Sequence, residues 1–290
     1  MARAPVRRSP RVPWRDRSGA LSPPKIAVFL ALFVPGLEIA LDHALGALGG
    51  RPINEIIHAT GLWAIRLLLI SLAVTPLRQI VRAPQLVTVR RMIGVGAFAY
   101  AAVHFLFFIV DSGFRPGFIV TEIALRLYLT IGFVTWAALL ALALTSTDAM
   151  VRRLGGKRWQ RLHWAVYPAG VLALTHHVMQ TKLNITEATV YAGLFAWLMG
   201  YRILARSGSM PSVLKLALLT LAVTLMTVAG EAAGYGLFTG IDWRRILQAN
   251  LVLIGERPGW VVLLVGAGVT LLAACRPLRT RSSASRRSRT

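Results

Sequence analysis

Eight apolar runs, near residues 26 to 45, 56 to 77, 92 to 110, 119 to 144, 162 to 180, 188 to 204, 213 to 236 and 259 to 275, dominate this 290-residue chain. A helix needs about 20 apolar residues to cross the hydrocarbon core of a bilayer, and these runs come close to that length or exceed it. The expected fold is therefore all-α: a polytopic membrane helical bundle with eight transmembrane helices. The links are short and carry Gly, Pro or charge, as in Gly49-Gly50-Arg51-Pro52, Arg82-Ala83-Pro84 and Gly155-Gly156-Lys157. They leave no room for a separate soluble domain.

Composition agrees, because 56% hydrophobic and 15% charged residues lie outside the usual range of soluble chains. The 33 Lys and Arg against 11 Asp and Glu, a net charge of +22, raise the question of nucleic acid. Their distribution answers it. Counted on alternate sides of the eight runs, 25 of the 33 basic residues fall on one side with both termini, and nine of the 11 acids fall towards the other. By the positive-inside rule the basic side is cytoplasmic, so both termini are expected there. The excess charge then reads as a topology signal and as contact with anionic lipid in the bilayer, and no nucleic-acid partner is expected. Arg7-Arg8 ahead of an apolar run suggests an export or transit peptide, but no small-residue cleavage site follows and the run from Ile26 is long enough to span. The lone Cys275 excludes an internal disulfide and thiol redox pairs.

An ionisable side chain inside a membrane helix is expensive and marks function by default. His104 lies seven residues before Asp111 on the third run, and His176 lies six before Lys182 on the fifth. Both runs point away from the basic side, so the two imidazoles are expected at matching depth on parallel-running helices. That geometry suits a b-type haem clamped between neutral imidazoles. His163 lies 13 residues before His176, about 20 Å along a helix axis, which is the spacing of two stacked haems. The inner level lacks a histidine partner, because the residue 13 before His104 is Arg91. His163 is therefore expected to hold a second haem with a non-histidine ligand, or to serve a propionate, a flavin or a quinone. On a straight helix His177 rather than His176 would nearly share the face of His163, although Pro168 between them can bend the helix. His43 and His58 read as interfacial.

Arg66, within the second run, needs an anion. A haem propionate or flavin phosphate would serve, as would Glu38 or Asp42 on the first run, and snorkelling to the interface is the further alternative. Residues 241 to 258 form the largest outer loop, where Trp243, Ile246, Leu247, Leu251 and Ile254 have roughly helical spacing, as in an interfacial amphipathic helix.

The stretches His58-Ala-Thr-Gly61, Leu72-Ala-Val-Thr-Pro-Leu77, Arg90-Arg-Met-Ile-Gly94, Ala102-Val-His104, Tyr128-Leu-Thr-Ile-Gly132, Leu144-Thr-Ser-Thr147 and Arg158-Trp-Gln-Arg-Leu-His163-Trp-Ala-Val-Tyr167 together resemble the MsrQ (YedZ) family. Its members are haem-binding membrane subunits of the bacterial methionine sulfoxide reductase system, within the ferric-reductase-like transmembrane group. The resemblance runs from about His58 to Arg206. It implies that His104, His163 and His176 are the haem-associated histidines, binding haem b, one or two per chain, with FMN as a further cofactor. It also implies quinol as electron donor, a periplasmic molybdopterin-containing methionine sulfoxide reductase as partner, and a place in the bacterial inner (cytoplasmic) membrane. The chain would be an electron-transfer subunit without a stand-alone catalytic site. The alternative is a ferric-reductase-like electron carrier with another donor or acceptor.

The expected organisation is a basic cytoplasmic tail at 1–25, a six-helix haem-binding ferric-reductase-like domain at 26–206, two additional transmembrane helices with a periplasmic loop at 207–275, and a basic tail at 276–290. The added pair of helices and the Arg-rich N-terminal tail depart from the family's usual pattern.

Overall fold

The structure is a computed structural model whose described residues are 12, 14–15, 20–181, 184–206, 208, 210–252 and 257–275. Most of the 1–25 tail, all of the 276–290 tail, Lys182 and Ile254 lie outside them. Among the described residues there is no β-strand, only an isolated bridge between Arg15 and Leu21.

The eight expected spans are present as helical rods. The first is α1 (Pro23–Ala31) with α2 (Val34–Ala44), the second α3 (Pro52–Ile80), the third α4 (Val87–Asp111), and the fourth α5 (Pro116–Leu125) with α6 (Leu127–Leu144). A short α7 (Asp148–Leu154) leads into the fifth, α8 (Gly156–His163) with α9 (Val166–Gln180), and α10 (Thr186–Leu204) is the sixth. The last two rods are α11 (Val213–Thr239) and α13 (Pro258–Ala274), joined through α12 (Trp243–Leu251). Five stretches are long and apolar enough by themselves to cross a membrane: Pro23–Ala44, Pro52–Ile80, Pro84–Asp111, Leu127–Leu144 and Val213–Thr239. Helices α9, α10 and α13, of 15, 19 and 17 residues, complete the bundle.

Three of the rods are broken along their length. In the first, Pro35 has no N–H for the carbonyl of Ala31, and the Gly36 N–H to Leu32 C=O bond that would follow is opened. The Tyr100 hydroxyl of α4 fills the gap: it accepts from Gly36 N at 2.8 Å and donates to Leu32 O at 2.8 Å. A side chain inserted into the helical ladder is a recognised cause of a kink. In the fourth rod, Arg126 is extended, with φ −106° and ψ 106°. Its guanidinium pairs with Glu122 at 2.7 Å, and the Thr130 hydroxyl donates to the freed carbonyl of Ile123. In the fifth, Pro168 cannot bond the Trp164 carbonyl, and the chain turns at Trp164–Ala165 before α9 begins.

Helix α3 is the hub. Its buried side chains divide between two cores, Ile65, Leu69 and Leu72 with α9, α10, α11 and α13, and Ala64, Leu68 and Val74 with α4, α6 and α9. Large apolar residues such as Leu37, Leu218 and Leu264 stay exposed on the outer faces, as lipid-facing surface requires.

Helices α11 and α13 pack against α10 and, with α12, enclose the carboxylate of Glu231, which is 0% exposed. That carboxylate accepts from Asn250 Nδ2 at 2.8 Å and pairs with Arg257 at 3.3 Å. The expected amphipathic helix is α12, capped by the Asp242 carboxylate on Arg244 N. Its Ile246 enters a small core with Ile185, Ala232 and Tyr235, and Trp243 and Leu251 remain exposed.

Candidate functional site

His104 on α4 and His176 on α9 come together between the helix pairs α3/α4 and α6/α9. Their ring centroids are 6.2 Å apart and their planes are nearly perpendicular, at 85°. The two imidazoles are held in the same way. His104 Nδ1 lies 2.8 Å from the Ile57 carbonyl, and a Cβ built on Gly61 would meet that ring at 2.9 Å. His176 Nδ1 lies 2.8 Å from the Tyr128 carbonyl, and a Cβ on Gly132 would meet that ring at 2.8 Å. In both cases the acceptor carbonyl belongs to the residue four before the glycine, so the ring lies across one helical turn of the neighbouring helix. Any side chain at either glycine would occupy the space of the imidazole.

A carbonyl oxygen only accepts, so each Nδ1 carries the proton and each Nε2 keeps a lone pair. This is how a metal-ligating histidine is usually oriented. With metal–imidazole bonds of about 2.0 Å and about 1.1 Å from ring nitrogen to ring centre, two imidazoles on one iron place their centres about 6 Å apart. The observed separation of 6.2 Å therefore fits one iron between the two rings. The buried indole N–H of Trp136, on α6 one turn beyond Gly132, has no hydrogen-bond partner, and a bound group with acceptor oxygens would provide one. Phe105, Phe133 and Trp136 form an aromatic seam between α4 and α6 beside His104.

His163, at the end of α8, is set apart from this pair. It stacks on Trp159 with centroids 3.8 Å apart, and its Nδ1 faces the Trp159 carbonyl at 3.1 Å. Its Nε2 lies 3.3 Å from the Ser146 hydroxyl. His163 thus shares the Nδ1-to-carbonyl arrangement of the other two without a second histidine beside it among the described residues. Helical-face arithmetic between His163 and His176 fails because of the break at Trp164–Ala165. His177 turns instead towards Tyr191 of α10, with centroids 6.0 Å apart, so His176 is the partner of His104.

Arg66 does not reach helix one. Its Nη2 pairs with Glu187 of α10 at 2.9 Å and its Nε donates to the Tyr191 hydroxyl at 2.7 Å. The expected partners Glu38 and Asp42 are replaced because Arg66 lies on the face of α3 that meets α10. Glu187 supplies the anion for which a cofactor group was one candidate.

Gly61 and Gly132 stand in the sequence motifs, but hydropathy and spacing attach no role to them. The available signal is a glycine inside an apolar helix, which marks a close approach without saying by what.

The family model of ferric reductase like transmembrane components matches residues 60–174, a span that reaches from the cradle of His104 to two residues short of His176. The protein-methionine-sulfoxide reductase heme-binding subunit MsrQ of Ralstonia nicotianae is 41% identical over 182 residues, covering 62% of this chain and 84% of that relative. The protein of the same name from Xanthomonas campestris pv. campestris is 48% identical over 162 residues, covering 55% of this chain and 73% of the relative. That of Xanthomonas axonopodis pv. citri is 46% identical over 159 residues, covering 54% and 72%. No solved structure matches the chain. At this identity, over most of each relative's length, the chain belongs to the MsrQ family of ferric-reductase-like transmembrane proteins.

Proposed function

We propose that this chain is a membrane electron-transfer subunit that binds haem b between His104 and His176, takes electrons from quinol, and delivers them to a periplasmic molybdopterin-containing methionine sulfoxide reductase that repairs oxidised periplasmic proteins. The observation that carries the haem reading is the pair of imidazoles 6.2 Å apart, each with its Nδ1 proton held on a carbonyl. The relatives' names support a methionine sulfoxide reductase as the acceptor, and quinol as donor is what the family resemblance implies. Bound between two neutral imidazoles in an apolar bundle, haem iron supplies reversible one-electron transfer.

The residues divide the work. Ile57 and Tyr128 hold the Nδ1 protons, Gly61 and Gly132 make room for the rings, and the surrounding helices keep bulk water away. His163, at the basic end near Arg90 and Arg91, is assigned to a second haem. Arg66 keeps donors beyond the two that it gives to Tyr191 and Glu187, enough to hold a propionate as well. FMN is the further cofactor. The distribution of Lys and Arg supports a cytoplasmic basic end and a His104–His176 level towards the periplasm of the inner membrane. Residues 26–206 form the haem-binding domain and 207–275 the added pair of helices.

The test is a dithionite-reduced minus oxidised visible spectrum of the purified protein, with haem quantified per chain and flavin measured after acid release. Sharp low-spin b-type bands are expected, and both His104→Ala and His176→Ala should lose most of the haem. Full haem in both variants would overturn the assignment.

A further inference from the structure

We infer that the basic end of the bundle contains a binding site for a phosphate group, built from Arg78 and Arg82 beside Gly208 and Met210. A cavity of ≈390 Å³ opens there, lined by Arg78, Gln79, Arg82, Pro84, Gly208 and Met210. The Nε of Arg78 is buried and has no hydrogen-bond partner, and a buried guanidinium nitrogen without an acceptor is costly. More positive charge lies close by, since the charges of Arg78 and Arg202 both bear on Arg90. Arg202 is committed to the carbonyls of Leu72 and Leu198 and to the Tyr167 hydroxyl.

Among the described residues, acids are scarce at this end. Of the 11 acids, only Asp16 and Asp148 fall on the basic side. Asp148 is paired with Arg91 at 2.6 Å, and Asp16 lies outside the described residues. Among the described residues no acceptor meets the buried Arg78 Nε, so the cavity is open to an external anion. Arg82 ends α3 in a left-handed backbone, φ 52°, with the Ala83 N–H bonded back to the Arg78 carbonyl at 3.2 Å, an ordinary helix ending that leaves Arg82 at the cavity wall. Two arginines lining one cavity offer guanidinium forks that suit the several oxygens of a phosphate. Such a group can belong to a phospholipid at the membrane surface or to a soluble phosphomonoester.

The test uses the full-length, haem-loaded protein, delipidated in neutral detergent. One arm titrates FMN against riboflavin, which lacks the phosphate. The other adds short-chain phosphatidylglycerol against the zwitterionic phosphatidylcholine and reads bound lipid by native mass spectrometry. Arg78→Gln and the exposed Arg82→Gln are each expected to weaken binding of the phosphate-bearing probe about tenfold or more. The double variant Arg152→Gln/Arg153→Gln, with greater charge loss on α7, should bind like the parent. A variant-sensitive preference for FMN over riboflavin assigns a soluble phosphomonoester; a variant-sensitive preference for phosphatidylglycerol assigns a lipid. Equal binding of both probes by the parent and the Arg78 and Arg82 variants overturns the site. The reduced-minus-oxidised spectrum of the same samples reads the haem separately, so loss of phosphate binding with an intact spectrum tells this site from the haem proposal.

Discussion

Replacing Gly132 by alanine is the sharpest test of how the His104–His176 pair is held. The new Cβ would lie 2.8 Å from His176 Cε1 and Nδ1, whereas ordinary contact begins at 3.4 Å. The ring would have to retreat by about 0.6 Å on that basis, towards His104 and away from the Tyr128 carbonyl that its Nδ1 meets at 2.8 Å. Overpacking of this kind costs about 1–3 kcal/mol, and weakening the hydrogen bond adds about 0.5–1.5 kcal/mol. A combined loss of about 2–4 kcal/mol corresponds to haem retention roughly 30- to 700-fold weaker. The helix itself does not suffer, because alanine is the better helix former by about 1 kcal/mol. Haem per chain and the position of the α-band are the assay. Gly94→Ala is the control, since its Cβ would meet only Ser71 Oγ, at 3.4 Å. Full haem and an unchanged spectrum in Gly132→Ala would refute the cradle argument.

Gly61→Ala, with its Cβ 2.9 Å from His104 Nδ1, should reproduce the same spectral loss from the opposite side. His177→Ala should leave the low-spin spectrum intact, because His177 faces Tyr191; haem loss there, measured by the same spectrum, would exchange the roles of the two neighbouring histidines. Glu231→Ala should lower the melting temperature by removing about 1–3 kcal/mol, since Asn250 loses its acceptor and Arg257 its counter-charge. Haem content should not change, and thermal unfolding monitored by circular dichroism checks the first half of that statement. Tyr100→Phe should cost about 0.5–1.5 kcal/mol, because Gly36 N–H and Leu32 C=O lose the hydroxyl that joins them. A melting temperature equal to that of the parent would show that the two backbone groups close on each other directly.

Much of this protein is legible in one dimension. Hydropathy adds along the chain, so the eight rods and the links between them follow from the apolar runs alone. The depth of His104 and His176 follows as well, because rise per residue is a property of the helix and needs no neighbour. Proline positions foretell two of the three breaks, at Pro35 and near Pro168, since a missing N–H is local chemistry. Arg126 foretells nothing: its extended backbone is supported by a salt bridge to Glu122 and by the hydroxyl of Thr130, and neither signals a break when read in order.

What the sequence by itself determined is therefore an all-α membrane bundle with two histidines at one level and a third at another. Only the tertiary structure decided that His176 and not His177 meets His104, that Arg66 turns to Glu187 and not to helix one, and that Gly61 and Gly132 exist to admit imidazoles. The physical reason is the same in each case. Depth and helicity are set by contacts within a few residues, whereas the choice of partner depends on how each helix is rotated and broken against its neighbours, and that is fixed by packing across the whole bundle.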